Sequence, residues 1–493
     1  MEPLFQEHQI SISGGSDNVR YLVSGGFLDN QGTLRNTGFQ RYSARANIDA
    51  DINRKLKVNL RLAPSYTNQD FLPVTGRFHE ANAGIVQSAL LMNPILGVYD
   101  PESETGYSTG INLMQGLQNM ENPVAKINVI KDWRRNLSLV SSASVVYDIN
   151  KLFTFTFTGG ATIRTASRNW LSPSSIGAYG IRAPRDNAIL ASQDINYNLQ
   201  SSVQLSYNQK FGKHTLSGVA VHEKQMQHVN SVSARASATW TDELIVVDSS
   251  LENVLREGYS NITEWALSSY LTRMHYNYDR RYLVTASIRA DGTSKFADRW
   301  GFFPSVALAW RASNESFLSN VRWLSDLKLR GSFGVTGNNS IGNYQYMSLM
   351  GGSSAVLGSG GESIVSGIRL NSYGNPDLTW EQTKQTNIGV DLGIFKHRIN
   401  FIVDYYNKQT EDLLLNLQVP SNMGFSNVMS NIGKVQNRGW EFTVDTRNLV
   451  GKFKWNSSFN ITFNKQKVLA LGPEGDPLWG NSIYLESTHI TRV

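Results

Sequence analysis

The chain has 493 residues and a formal net charge of +6, with 40% hydrophobic, 17% charged and 11% aromatic residues, 41 Gly and no Cys. This composition is typical of many strands joined by turns, and the lack of Cys excludes thiol catalysis, disulfides and Cys-based metal sites. The basic residues form no dense run, so no nucleic-acid partner is indicated, and no run of about 18 apolar residues exists to form a transmembrane helix.

Alternating apolar and polar residues predict about sixteen strands. Phe153, Phe155 and Phe157, for example, alternate with Thr154, Thr156 and Thr158. A period of two with one apolar and one polar face is the signal of a half-buried strand. The predicted strands lie at residues 6–15, 19–28, 41–52, 55–66, 136–149, 152–165, 195–209, 213–225, 264–278, 281–291, 303–312, 327–334, 383–395, 398–409, 438–447 and 451–463.

The connections between these strands are of two kinds. Short polar links, such as Asn150–Lys151 and Asp279–Arg280, predict hairpins of antiparallel strands. The other connections are long, at 67–132, 166–194, 226–262, 335–380 and 410–437, and residues 78–92 in the first of them are the one helical candidate. Short turns at one end and long loops at the other are typical of an outer-membrane β-barrel.

Aromatic residues near the predicted strand ends favour a membrane barrel over a soluble sandwich. In a membrane barrel the apolar faces meet lipid, and Tyr and Trp form girdles at the interfaces. In a soluble sandwich the apolar faces would be buried inside instead. The strand-end aromatics are Tyr66, Tyr147, Tyr207, Tyr276, Tyr278, Trp310, Tyr405 and Tyr406.

Each motif that could indicate a catalytic or binding site has a simpler interpretation as a loop or strand residue. Gly106–Gly110 matches the Gly-x-Ser-x-Gly nucleophile pattern around Ser108, but it lies in a turn-rich loop without the strand and helix that an elbow needs. His222 and His228 lie six residues apart without a metal-binding motif. Gly358–Gly361 is followed by no Lys-Ser/Thr, and Glu411 with Asp412 are interpreted as solvated loop acids. No catalytic, cofactor or metal site is predicted.

Four loop aromatics are candidates for substrate binding. A flat apolar ring is a platform on which a sugar ring can stack. The same residues could equally serve as girdle or packing residues, and the sequence leaves both roles open. They are Trp240, Tyr344, Tyr346 and Trp380.

An ordered series of short phrases spans almost the whole chain. The phrases include Ile10–Gly15, Ser287–Phe296, Arg299–Ser305, Leu327–Asn338, Asn375–Gly389, Asp404–Lys408, Asp412–Leu415 and Asn431–Glu441. Any one phrase is weak, but the ordered set is specific, and it resembles the SusC/RagA-like family of TonB-dependent outer-membrane transporters of Bacteroidetes.

The resemblance implies an all-β antiparallel transmembrane barrel of about 22 strands with a plugged lumen. It implies import of oligosaccharides, or of peptides in some relatives, with energy from the TonB–ExbB–ExbD system. It also implies a SusD-like surface lipoprotein as lid and contact with outer-membrane lipid. No cofactor is expected.

The chain departs from the full family pattern at both ends. Met1–Ile10 has no signal-peptide features, and no plug or TonB-contacting segment is recognised. We therefore expect residues 1–493 to be a partial barrel domain, about 16 of 22 strands, without a plug. Two rival hypotheses remain: a passive porin or surface adhesin barrel, and a soluble, secreted β-rich protein that binds or hydrolyses glycans.

Overall fold

A computed structural model describes residues 3–72, 84–103, 105–111, 120–177, 183–243, 245–249, 256–357, 363–419, 422, 424–425 and 427–471. Sixteen strands form one sheet in the order β1 to β12, β15, β16, β19 and β20. The pairings among β1–β4 and from β9 onward are antiparallel. Two separate two-stranded sheets, β13–β14 and β17–β18, branch from the connections between strands of the large sheet.

The strands are bounded as follows: β1 Phe5–Gly15, β2 Val19–Gln31, β3 Gly38–Asp51, β4 Leu56–Asp70, β5 Lys131–Asp148, β6 Phe153–Ser172, β7 Ala188–Phe211, β8 His214–Ser237, β9 Arg256–Tyr278, β10 Tyr282–Thr293, β11 Trp300–Arg311, β12 Leu324–Asn338, β13 Leu349–Leu357, β14 Ser363–Ser372, β15 Glu381–Ile394, β16 Ile399–Glu411, β17 Leu414–Gln418, β18 Asn427–Asn431, β19 Lys434–Val450 and β20 Lys454–Ala470.

Each of the sixteen predicted strands coincides with a strand of the large sheet, so the predicted fold class is confirmed. The long connections 335–380 and 410–437 contain two further strand pairs, β13–β14 and β17–β18, that the alternation did not predict. Strands β7, β8 and β9 are also 24, 24 and 23 residues long, well beyond the predicted ranges. Both kinds of error arise where polar and small residues dilute the alternation of apolar and polar faces.

Two short helices lie in the connection between β4 and β5. The first, α1 (Ile85–Leu91), falls within the predicted 78–92, of which 78–83 lie outside the described residues. The second, α2 (Pro123–Val129), was not predicted, since seven residues are too few to display a helical period. Its start is fixed by Asn122, whose side chain accepts hydrogen bonds from the amides of Val124 and Ala125. Within the described ranges, no helix has the length and apolar character needed to cross a bilayer.

The short turns follow known turn chemistry. Asn53 Oδ1 accepts hydrogen bonds from the amides of Lys55 and Leu56 between β3 and β4, and Asn150 repeats the arrangement between β5 and β6. Between β9 and β10, Asp279 and Arg280 have φ of 50° and 57°, as a type I′ hairpin turn requires. We call the strand ends joined by such turns the turn end, and the opposite ends the loop end.

The chain divides into two compact units. Unit 1 comprises residues 1–146, 158–200 and 226–264, and unit 2 comprises residues 147–157, 201–225 and 265–493. Unit 1 has a small buried cluster of Leu171, Ile189 and Ala236. Unit 2 has a larger one, consisting of Phe296, Phe303, Ile341, Leu378 and Trp380.

Candidate functional site

Side chains on one face of β1–β4, in unit 1, form successive rows across the strands. Residues paired across antiparallel strands share a face, so the register defines each row. From the loop end, the first row is polar, the second aromatic, the third small and the fourth apolar. The rows are Gln6, Asp29, Gln40 and Asn68; His8, Phe27, Tyr42 and Tyr66; Ile10, Gly25 and Ala44; and Ile12, Val23, Ala46 and Leu62.

The aromatic row separates polar from apolar surface. Tyr42 contacts Phe27 and Tyr66, with ring centroids 5.1 and 6.5 Å apart. Below it, Ile10 and Ile12 are 74% and 63% exposed, although both are strongly apolar. A sequence of polar, aromatic and exposed apolar rows is the pattern of a strand face that passes from water through an interface into lipid.

The opposite face of β1–β4 carries charge. Arg61 pairs with Asp49 at 2.6 Å, Lys57 pairs with Asp51 at 3.9 Å, and Asn59 donates to Ser144 on β5 at 3.0 Å. The two faces therefore meet different surroundings, one apolar and one aqueous.

At the turn end of unit 2, Glu315 binds two aromatic residues of the apolar face. Tyr282 on β10 pairs with Trp310 on β11 at the strand ends, where Tyr282 is exposed and Trp310 is half-buried. Tyr282 Oη donates to Glu315 at 2.8 Å, Trp310 Nε1 donates to it at 3.1 Å, and Arg281 pairs with it at 3.1 Å. Rings with an apolar body and a hydrogen-bonded polar tip are typical of a membrane interface.

We expect Glu315→Gln to lower the thermal unfolding midpoint at neutral pH. The hydrogen bonds from Tyr282 and Trp310, with Arg281 nearby, hold the pKa of Glu315 below its ordinary value of 4.5. A carboxylate with a lowered folded-state pKa stabilises the fold above its unfolded-state pKa, and this contribution disappears as pH falls through the folded-state pKa. The gap between wild type and variant, measured in detergent, should therefore close below about pH 4.5. Glu102→Gln, an exposed loop substitution, is the control, and a pH-independent gap would contradict the prediction.

On the polar face of unit 2, charged residues connect three adjacent strands. Arg330 on β12 bonds Asp391 on β15 at 3.0 Å and Asp404 on β16 at 2.6 Å, and Lys328 also pairs with Asp391 at 3.4 Å. The guanidinium reaches β16 by passing over Gly389, where a Cβ would collide with the Asp404 carboxylate and lie 2.8 Å from Arg330 Cζ. Gly389 thus permits a connection that no sequence pattern indicated.

A groove of about 310 Å³ lies beside this network on the same polar face. Its wall includes the cations Lys328 and Arg330 and the neutral polar residues Thr285, Ser332 and Asn387. Because the two cations are already paired with carboxylates, the groove is nearly charge-balanced. It offers hydrogen-bond donors and acceptors suited to the hydroxyl or amide groups of a polar solute.

At the loop end of unit 2, a core cluster organises the outer segments. Trp380 is 4% exposed and packs edge-on against Phe296 and Phe303, at centroid distances of 5.6 and 5.4 Å. Its Nε1 donates to the carbonyl of Arg299 at 3.1 Å. Lys295 Nζ donates to the carbonyl of Ile341 at 2.9 Å, and partial burial lowers its pKa. These contacts join segments separated by up to 84 residues in the chain, from Phe296 to Trp380.

The four predicted loop aromatics have different surroundings. Trp380 occupies the core cluster and presents no free ring face, so packing is its role in this structure. Tyr346 packs against the same cluster and is only partly buried, while Tyr344 has φ of 65° and is also partly buried. Trp240, in unit 1, is 66% exposed. The last three remain proposals as stacking residues.

In unit 1, a buried polar cluster holds the connection between β4 and β5 together. Lys126 of α2 is 4% exposed, and its Nζ donates to Ser88 of α1 at 3.1 Å. Burial lowers the pKa of Lys126 to about 8, although the nearby Glu121 opposes the shift. Burial likewise raises the pKa of Glu121, which accepts hydrogen bonds from the Asn122 amide and the Thr109 hydroxyl. These groups organise the segment, because neither reaches its surface.

The motifs that could have indicated catalysis or metal binding make ordinary packing contacts or ion pairs. Ser108 is 8% exposed, and its neighbour Tyr107 makes only an isolated bridge with Tyr99 rather than following a strand. His222 stacks on Tyr270, and His228 stacks on Tyr197 and pairs with Glu264. Glu411 pairs with Lys384 and Lys434. Gly358–Gly361 lies outside the described residues.

Within the described ranges, no three His, Asp or Glu side chains approach one another closely enough to hold a metal ion.

Comparison with known proteins identifies similar chains. The family described as TonB dependent receptor-like, beta-barrel matches residues 9–483. The chain is 30% identical to the TonB-dependent receptor P3 of Formosa agariphila, covering 96% of this chain and 46% of that protein. It is also 30% identical to the TonB-dependent receptor SusC of Bacteroides thetaiotaomicron, covering 94% of this chain and 47% of SusC.

Among solved structures, that of the RagAB peptide transporter is similar. The TM-score is 0.79 at 25% identity, covering 94% of this chain and 51% of that chain. The chain therefore spans about half the length of the curated relatives it matches.

Proposed function

The chain belongs to the TonB dependent receptor-like, beta-barrel family. We therefore propose that it forms part of the barrel wall of an importer in the outer membrane. The proposed cargo is an oligosaccharide, carried into the periplasm with energy from the TonB–ExbB–ExbD system. Its role is transport rather than catalysis.

The observation that carries the proposal is the contrast between the two sheet faces. On β1–β4 one face passes from the polar row through the aromatic row to exposed Ile10 and Ile12. The reverse face carries the Arg61–Asp49 pair. A soluble sandwich would bury its apolar face, whereas a membrane barrel exposes that face to lipid and turns the polar one to a water-filled lumen. This contrast supports the membrane barrel over the soluble glycan-binding alternative.

The route for cargo is proposed along the polar face. Tyr344 and Tyr346 in unit 2 and, separately, Trp240 in unit 1 are the proposed residues for stacking on sugar rings, since none of the three is fully buried. The groove beside Arg330 and Lys328 would then bind hydroxyl groups along the wall.

A surface lipoprotein of the SusD type is the proposed lid. The β13–β14 hairpin supports a protein partner at the loop end, because one of its faces is apolar and fully open. Ile364 and Ile368 on that face are 77% and 73% exposed. A two-stranded hairpin is marginal in water by itself, so a partner covering this face would stabilise it.

Peptide is the second candidate cargo. Its support is the structural similarity to the RagAB peptide transporter, at a TM-score of 0.79. The neutral donors and acceptors of the groove, such as Thr285, Ser332 and Asn387, suit peptide amides as well as sugar hydroxyls.

Uptake by intact cells tests the proposal. Cells with and without the gene would receive labelled oligosaccharides of several linkage types and, separately, labelled oligopeptides. We expect deletion of the gene to abolish uptake of one class, and loss of TonB to have the same effect. Uptake that survives loss of TonB would overturn active import in favour of a passive porin. Peptide uptake without oligosaccharide uptake would reassign the cargo.

A further inference from the structure

The apolar face of unit 1 contains a groove directly below its aromatic row. The groove has a volume of about 590 Å³ and an almost entirely apolar lining. Gly25, Ala44 and Pro64 form its floor, and Ile10 and Leu137 lie at its two sides. Small residues on three neighbouring strands thus leave a depression between the larger side chains of the rows above and below.

Gly25 has no packing reason to be glycine. A Cβ at this position would meet no atom within 4 Å, whereas a Cβ at the adjacent Gly26 would lie 2.9 Å from Ser43 Oγ. Glycine inside a strand weakens it, and often marks a place where a ligand approaches the backbone closely. Packing within the protein therefore accounts for Gly26, while the space above Gly25 is open for an external molecule.

The position of the groove indicates what fills it. The rim toward the loop end is formed by Phe27, Tyr42 and Tyr66, and the polar row lies beyond that rim. Interfacial aromatics mark the level of lipid headgroups. The groove therefore lies at the depth of the acyl chains, within the leaflet at the loop end. In an outer-membrane barrel the long loops face outside the cell, and the outer leaflet consists of lipid A and its saccharides.

We propose that this groove binds one acyl chain of a lipid A molecule. The inference rests on the proposed function, because it requires the apolar face to lie in an outer membrane. Recognition in the groove is of the hydrocarbon chain: the polar row beyond the rim offers the amides Gln6, Gln40 and Asn68 and the acid Asp29, and on β5 the exposed cation Arg135 lies two residues from Leu137 toward the loop end. The bound chain would cover the open backbone at Gly25 and extend the contact of the wall with its leaflet.

Native mass spectrometry of the protein purified from outer membranes tests this binding. After partial delipidation in detergent, the lipids that the protein still carries from the membrane would be identified and counted. We expect wild type to retain one lipid A molecule more tightly than the rest, and Gly25→Leu to lose it, because a Cβ at position 25 meets no atom within 4 Å and the leucine side chain can extend into the groove. Ala286→Leu, an exposed alanine on the apolar face of β10 in unit 2, is the matched control and should retain it.

Each other outcome overturns the assignment. Equal retention by Gly25→Leu and wild type would mean that the groove binds no specific chain. Phosphatidylethanolamine carried from the membrane in place of lipid A would mean that the groove does not lie in the leaflet assigned to it, and a dimer mass in place of the lipid would assign the groove to a second copy. Membrane fractionation and uptake on the same strains separate the two proposals. A protein that transports but retains no lipid contradicts only the groove, whereas a protein absent from the outer membrane contradicts the proposed function itself.

Discussion

Replacing Trp380 with alanine is expected to lower the free energy of unfolding of unit 2 by about 3 to 5 kcal/mol, the usual cost of removing a buried tryptophan ring. Trp380 fills the space between Phe296 and Phe303, and its indole N–H satisfies the carbonyl of Arg299. Gly301 and Gly337 make room for these rings, since a Cβ at either position would collide with Phe303. The cavity left by alanine therefore has rigid walls and cannot readily collapse.

Hydrogen–deuterium exchange in detergent locates this effect. Segments 339–346 and 375–381 should lose protection, while the strands of the large sheet keep theirs, because the cluster packs the outer segments. Trp380→Phe should have a smaller effect, since it retains one aromatic ring and loses the hydrogen bond and only the remaining volume of the indole. Trp240→Ala is the matched control: at 66% exposure it should change stability by less than about 0.5 kcal/mol. Equal effects of the Trp380→Ala and Trp240→Ala substitutions would contradict the assigned packing role.

The second large effect is expected from Arg168→Met in unit 1, at about 2 to 4 kcal/mol. Arg168 Nε and Nη2 donate to the two oxygens of Asp132 at 3.0 and 2.7 Å. The side chain of Asp132 is 3% exposed, so removing its partner leaves a buried carboxylate unpaired. Because Arg168 is itself 33% exposed, the figure is set below that of a fully buried pair. The guanidinium also lies 5.0 Å from the centroid of the Phe71 ring, a contact that methionine only partly replaces.

A double-mutant cycle isolates the Arg168–Asp132 pair. Asp132→Asn removes the charge, so we expect it to cost less than Arg168→Met and to recover part of the loss when the two are combined. Urea unfolding in detergent measures all three variants. Arg41→Met is the control, because the Arg41–Glu7 pair is 43% and 51% exposed and should contribute less than about 1 kcal/mol. Additive effects of the two substitutions would show that the pair does not act as a unit.

These two sites have a shared consequence for the proposed importer. The Trp380 cluster and the Asp132–Arg168 pair both lie at the loop end of their units, where long segments leave the sheet. Cargo recognition by those segments depends on their being held in one arrangement. Either substitution is therefore expected to reduce uptake more than it reduces insertion into the membrane.

The local pattern of the sequence was sufficient for the strands of the large sheet and for their two faces. A strand places alternate side chains on opposite faces. The alternation along Phe153–Thr158 therefore indicates which side chains share the apolar face and which share the polar face, without information from the rest of the chain. The same holds for the turns, where Asn53 and Asn150 bind amides two and three residues away. Family membership was likewise readable from ordered phrases.

The long-range contacts were decided only by the tertiary structure. No local alternation of apolar and polar residues shows which of Trp380 and Trp240 is buried, yet one lies in a core and the other is 66% exposed. The ring partners of Trp380 lie far from it in the sequence, and the need for glycine at position 389 is evident only when Arg330 and Asp404 are placed on either side of it. The groove at Gly25 also requires the register of five strands, β1 to β5. Alternation specifies which face a residue occupies, but contact depends on which distant residues pairing brings beside it.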